Sequence, residues 1–378
     1  GRLFGEKIMS VQVSYKKQFL IYVFLFLILL AATEIGSRIY EYQNQSECSL
    51  LNTEAFSNVE NSLKKKICED MSKVVFEKPS ISILKSNQHY ETINVNSFNF
   101  RGDEILKNKQ EGTYRIFLVG GSTAFGWGST SDENTITGFL QKMFNEIETD
   151  KKIEIINAGV PGANSVRESY YIKNILLEFK PDMIIVYDGV NDAGNAIINK
   201  NDLGKAPENE MKEVQKNFDE LIKNYFQMYR TPFVLNYLFF ISTSTISYDT
   251  NSILEMKENW ENRWTDVCKW SDSKDIKVII GLQPSLGTGN KTLYSDEIII
   301  AETHESKMLA NAINELESPL NELSNVCFET VDLREAFNDV KSPIFWDNQH
   351  VNDLGNKIIA EKIYQKILPA ILENTNFP

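Results

Sequence analysis

Four short segments of this chain carry the side chains able to do covalent chemistry. Gly120-Gly121-Ser122-Thr123 offers a hydroxyl beside small residues, where the backbone can turn sharply and admit a substrate. A serine hydroxyl is a weak nucleophile until a base takes its proton. Near the C-terminus, Phe345-Trp346-Asp347-Asn348-Gln349-His350 can supply that base. His350 would accept the proton, and Asp347, three residues earlier, would hold the other ring nitrogen and stabilise the imidazolium. Attack on an ester creates an oxyanion, which needs preorganised N–H donors about 3 Å away. The segments Asn157-Ala158-Gly159-Val160-Pro161-Gly162-Ala163-Asn164-Ser165 and Gly189-Val190-Asn191-Asp192 can complete that set. The donors would be the backbone N–H groups of Ser122 and Gly162 and the side-chain amide of Asn191. Each segment alone also has a plain structural use: a glycine-rich turn can cradle phosphate, Gly162 can end a turn, and Asn191-Asp192 can cap a helix.

Such groups act together only if the fold delivers them to one place. Short β-type runs lie at Tyr114 to Val119, Lys152 to Ile156, Met183 to Tyr187, Ile276 to Gly281 and Cys327 to Val331. Helix-length amphipathic stretches alternate with them: Thr135 to Ile147, Val166 to Phe179, Ile253 to Asp272, and Lys357 to Leu368, which Pro369 should end or kink. The alternation predicts βαβ units and a three-layer α/β/α sandwich around a mostly parallel, five-stranded sheet. Function in such sheets lies beyond the carboxyl ends of the strands. Ser122, Gly162 and Asn191 each follow a predicted strand directly.

In this order the four segments resemble the characteristic blocks of the SGNH (GDSL-like) hydrolases, named for their Ser, Gly, Asn and His. GGST is similar to the G-D-S-x block, with Gly121 where aspartate is often found; NAGVPG, GVND and DNQH resemble the other three. The resemblance covers roughly residues 94–374. It implies a flavodoxin-like fold and acyl chemistry through an acyl-serine intermediate, with no metal or organic cofactor. It also implies the catalytic set Ser122, Asp347 and His350, with Ser122, Gly162 and Asn191 as the oxyanion hole. The segment Asn94 to Glu104 (NVNSFNFRGDE) is similar to a lead-in of membrane-anchored bacterial members. Arg101 within it could tie down the preceding segment or contact substrate. Trp127 could line a pocket or pack.

Composition narrows the partners. The chain has 378 residues, 42% hydrophobic, with 39 basic and 52 acidic side chains for a net charge of -13. Such a surface repels a phosphate backbone, so nucleic acid is not an expected partner. With three histidines, four cysteines and no C-x-x-C, a cysteine–histidine zinc site is not expected either. Lys16-Lys17 precede the charge-free apolar run Phe19 to Ala32, which reads as a membrane anchor or a signal-peptide core, the anchor being favoured. Lysines before it place the N-terminus in the cytoplasm and the rest outside, periplasmic or extracellular. Cys48, Cys68, Cys268 and Cys327 would then permit two disulfides, of which three pairings exist.

The expected organisation is a cytoplasmic 1–15 (1–8 precede Met9 and are set aside), an anchor over 16–35 and a stalk over 36–93. A hydrolase domain follows over 94–378, with an insertion at 196–251. The insertion holds a charged helix candidate, Glu208 to Met228, and an apolar patch, Phe233 to Ile241, readable as cap, membrane-facing surface, lipase lid or core. The expected function is a serine esterase acting on carboxylic esters, among them O-acetylated carbohydrate. The alternatives are an O-acyltransferase acting on cell-surface polysaccharide and a non-catalytic carbohydrate-binding relative.

Overall fold

A computed structural model describes residues 14–43, 48–78, 83–198 and 249–374. Glu208 to Met228 and Phe233 to Ile241 lie outside the described residues. The chain divides into two compact units, the second beginning at Cys48. In the first, helix α1 spans Tyr15–Gln43, roughly 44 Å at helical rise. Within Tyr15–Ile39 the most apolar 18 residues have a mean hydropathy of 2.4 and none of them is buried, so by length and composition the stretch is a candidate membrane span. Polar groups inside it are satisfied locally. Thr33 returns its hydroxyl to the Leu29 and Leu30 carbonyls, and Arg38 pairs with Glu34 one turn away at 2.8 Å.

The second unit is built on five parallel strands: β1 (Thr113–Gly120), β2 (Lys152–Gly159), β3 (Met183–Asp188), β4 (Lys277–Leu282) and β5 (Glu329–Asp332). Their order across the sheet is β2-β1-β3-β4-β5. This is the flavodoxin-like arrangement, with a topological switch between β1 and β3. Both sheet faces are covered, so the inner strands β1, β3 and β4 are nearly continuous buried runs rather than alternating ones. Phe117 and Val119 face one core with Ile184, Val186 and Trp260; Ile116 and Leu118 face the other with Ile359, Ile363 and Ile367. The first core is closed by Ser165–Asn174, Val190–Ile197, Thr250–Asp272, His304–Asn314 and Glu317–Leu323. The second is closed by Ile136–Asn145 and the C-terminal helix.

Two elements depart from expectation. The C-terminal helix, Asp353–Asn374, runs through Pro369 instead of ending there. A proline removes one intrahelical hydrogen bond, but Ile367, Ala370 and Ile371 are buried in the second core and hold the last turn in place. The expected stalk is also packed. Residues 48–95 bury Leu50, Phe56, Ile67, Met71, Leu84, Ile93 and Val95 against Phe125, Val160, Ala163 and Trp346 of the domain. The helix Asn61–Lys73 explains why the composition misleads: Lys64, Ile67, Asp70 and Met71 form one buried stripe, and Lys65, Lys66, Glu69 and Lys73 lie on the other faces.

The cysteines pair as Cys48–Cys68 and Cys268–Cys327, closing separations of 20 and 59 residues. Chain-entropy arguments give such cross-links about 3 and 4 kcal/mol of stabilisation.

Candidate active site

β1 ends at Gly120, and the chain turns at once into a single helical turn, Ser122–Phe125. Ser122 opens that turn, so its backbone N–H is one of the donors a helix start leaves without an internal partner. The carbonyls at the other end are bound from behind. Asn157 Nδ2 donates to Ala124 O and Phe125 O, both at 3.1 Å. Arg101 Nη1 donates to Phe125 O at 3.1 Å and Gly126 O at 2.8 Å, Nη2 to Thr92 O at 2.8 Å, and Nε to Asp132 Oδ1 at 2.7 Å. The guanidinium also lies 4.8 Å from the Phe125 ring centroid. Of the two readings of Arg101, the structure shows the tie: it fastens the lead-in to the serine turn.

The C-terminal loop approaches from the opposite side. An antiparallel bridge, Phe345 to Val351, closes it, and Trp346 N–H donates to His350 O at 3.1 Å. Glu297, fully buried, accepts from the backbone N–H groups of Ile344 and Phe345 at 2.9 and 3.0 Å and pairs with Lys291 at 2.6 Å, fixing the loop's entry. Within the loop, Asp347 Oδ1 accepts from the Gln349 and His350 N–H groups at 2.9 and 2.6 Å. Asp347 Oδ2 lies 2.7 Å from His350 Nδ1, and His350 Nε2 lies 2.7 Å from Ser122 Oγ. A carboxylate only accepts, so Nδ1 carries the hydrogen and Nε2 accepts from the Ser122 hydroxyl. Burial alone would push the Asp347 carboxyl up, but the imidazole and the two N–H donors outweigh it and hold it below the usual carboxylate value.

Gly162 and Asn191 complete the edge. Gly162 has φ +76°, a left-handed conformation that suits glycine, and a Cβ there would meet open space. Asn191 Nδ2 donates to Ala163 O at 2.6 Å, which leaves the amide's second hydrogen. Gly121 serves a different need. A Cβ on it would fall 2.3 Å from Asn191 Nδ2 and 3.1 Å from Ala163 O, so the absent side chain makes room for the Asn191 amide. Ser122, Asp347 and His350 thus form one hydrogen-bonded line, and Asn191 and the Gly162–Ala163 turn adjoin the serine turn. Trp127 is half-buried, packed beside Phe125 with centroids 6.0 Å apart. His89 and His304 are both exposed, and no hydrogen bond or ring contact ties either of them to Ser122 or Asp347.

Beneath Asn191 lies a buried acidic group. Asp192 accepts from Ser165 N at 2.8 Å and Ser165 Oγ at 2.5 Å, and Asp188 Oδ2 accepts from Trp260 Nε1 at 2.8 Å. Glu168 beside them has neither oxygen hydrogen-bonded among the described residues. Burial, and then the neighbouring carboxylates, push Glu168 and Asp188 well above the ordinary value, with Arg263 opposing this at Glu168. Sequence reasoning passed over Glu168 and Asp188, and also Asn157, Asp132, Glu297 and Trp346 as supports. Of these, Asn157, Asp188 and Trp346 stand inside or next to motif blocks; Asp132, Glu297 and Glu168 are linked to the site only through the fold.

An α/β sandwich with a serine turn at its switch point, and an Asp-x-x-His loop closing onto that serine, defines an ester-hydrolysing class of enzyme. Residues 116–363 match the family model for GDSL-like Lipase/Acylhydrolase, more than half of the chain, and the protein belongs to that family. Among solved structures, an acetyl xylan esterase, AlAXEase, is similar at 15% identity, covering 67% of this chain and 99% of its own, with a TM-score of 0.41. Axe2, an acetylxylan esterase from Geobacillus stearothermophilus, is similar at 14% identity, covering 68% and 96%, with a TM-score of 0.39. No curated protein sequence matches the chain.

Proposed function

We propose that Ser122, His350 and Asp347 form the catalytic triad of a carboxylesterase that cleaves O-acyl groups from a carbohydrate at the outer face of a membrane. The observation that carries the triad is the unbroken line from Asp347 through His350 to Ser122, each link 2.7 Å. Ser122 Oγ bonds to the acyl carbon as its proton passes to His350 Nε2. The carbonyl oxygen becomes an oxyanion facing the N–H groups of Ser122 and Gly162 and the free amide hydrogen of Asn191. Collapse breaks the bond to the alcohol, which leaves with the proton from His350. Water then attacks the acyl-serine, gives its proton to His350, and the acid departs as the proton returns to Ser122.

Location rests on separate features. The apolar stretch of α1 and Lys16-Lys17 before it support a membrane anchor with the second unit outside, and the two disulfides suit an oxidising compartment. Acylated surface glycan is then the ester within reach. Its test is product analysis after incubation with acetylated polysaccharide: released acetate supports the esterase, and transfer to an added sugar would redirect the reading to acyl transfer.

The triad is tested by a fluorophosphonate probe on the full chain in detergent micelles. Rapid covalent labelling is expected in the wild type, none in Ser122→Ala, and labelling slowed by at least about 10³-fold in His350→Ala. A folded wild-type protein that stays unlabelled overturns the proposal.

A further inference from the structure

Trp346 lies flat against the His350 ring, the planes 15° apart and the centroids 5.0 Å apart. The indole is clamped in that pose. On the nucleophile side Gly128 leaves space for it: a Cβ there would fall 2.8 Å from Trp346 Nε1 and 3.1 Å from Cε2. Leu50, Phe56, Phe125 and Val160 pack in the same cluster, and the Trp346 N–H to His350 O bond fixes the spacing along the loop. Trp346 is 5% exposed, and its Nε1 has no hydrogen-bond partner among the described residues. A buried indole usually finds a partner for that N–H. Here the residue presents its face to the imidazole while its polar edge goes unused.

We propose that Trp346 is a positioning residue whose π face stabilises the protonated imidazole of His350, a second support beside the Asp347 carboxylate. The inference rests on His350 acting as the base. The face of an indole carries negative electrostatic potential, and a cation within about 6 Å of its centroid is attracted, more strongly when water is excluded. Before the ring takes a proton the contact is ordinary stacking. When the ring holds the serine's proton, and again when it holds the proton of water, it is cationic and the attraction strengthens. An interaction that grows only as charge develops raises kcat rather than lowering KM. Among the described residues, Asp347 is the charged side chain that hydrogen-bonds this ring, on its far nitrogen and in the ring plane. The indole acts along the perpendicular direction, so the two supports do not compete for one site.

The test uses the full chain in detergent micelles with p-nitrophenyl acetate. Trp346→Leu should lower kcat about tenfold with KM nearly unchanged, and Trp346→Phe should recover part of the loss. Because a leucine could also loosen the loop, the deciding arm replaces the chain's five tryptophans by analogues with increasing ring fluorination, which weakens the π face at nearly constant shape. Log kcat should fall steadily with fluorine number, and the trend should vanish when the same analogues are placed in Trp346→Phe. A flat series in the wild-type background overturns the inference. His350→Ala separates the two readings. Retained activity there removes the base assignment itself, while a dead His350→Ala with a flat fluorine series removes only the role of Trp346.

Discussion

Ser122 and His350 meet at 2.7 Å, yet the ground behind each is different in kind. Behind the serine the contacts are polar and ionic: Arg101 and Asn157 gather the carbonyls of the serine turn, and Asp132 gathers both Arg101 and the Asn94 backbone and amide. Behind the histidine ring itself the packing is apolar: Trp346, with Leu50 and Phe56 beyond it, backs the loop, while the Glu297–Lys291 pair fixes the loop's entry. The proposed nucleophile, on a strand end, needs its short helix held at a fixed angle, which directional bonds do. The proposed base would gain and lose charge each turnover and needs a wall that tolerates both states, which packed rings provide.

Four substitutions can break or sharpen this contrast, beginning with the largest effect. Arg101→Met removes one half of a buried pair and frees several backbone carbonyls, so it should destabilise the fold by about 3–5 kcal/mol in urea titration. Its labelling by fluorophosphonate should slow as well, and unchanged stability would show that the polar frame is dispensable. Gly121→Ala forces the Asn191 amide aside and should lower kcat about 10²- to 10³-fold, the scale of one lost oxyanion donor. A kcat close to wild type would remove Asn191 from the oxyanion set. On the apolar side, Leu50→Ala, at a fully buried site, should cost about 2–4 kcal/mol through cavity formation. Activity of its folded fraction should fall less than that of Gly121→Ala; an equal fall would mean the two frames are coupled.

The smallest effect depends on pH. Glu168 is held protonated above the ordinary carboxylate range, first by burial and then by Asp188 and Asp192. Between its unfolded and its raised folded value, the native state keeps a proton that the unfolded chain has released, so its contribution to stability falls as pH rises. Glu168→Gln should therefore raise Tm at pH 8 by an amount worth on the order of 1 kcal/mol, and much less at pH 4. An equal shift at both would show that ionisation at this position is irrelevant.

Strands β1 to β4 were legible because each carries a compact run of large apolar residues, and β1, β2 and β3 carry the site segments at their carboxyl ends. The Asp347–His350 pair was legible because its spacing is local. The supports were not. Arg101 meets its carbonyls 24 and 25 residues away, and Glu297 its N–H groups 47 and 48 away, through folds that periodicity does not report. The packing of the segment after α1 was not legible for a related reason. Its charges dominate any running average, while the few apolar residues that bind it to the domain are spread across some 45 positions.

That segment ties distant parts of the chain together. Asn352 Nδ2 donates to Ala55 O at 2.7 Å, and Ser295 Oγ to Glu54 Oε1 at 2.6 Å. Residues 54 and 55 are thus held by side chains 241 and 297 positions further along the chain. Until the loop carrying His350 is in place, Leu50 and Phe56 lack their Trp346 neighbour and Ser122 lacks its hydrogen bond to His350. Under the proposed mechanism, a chain cut short before residue 350 keeps Ser122 but lacks the group that would activate it.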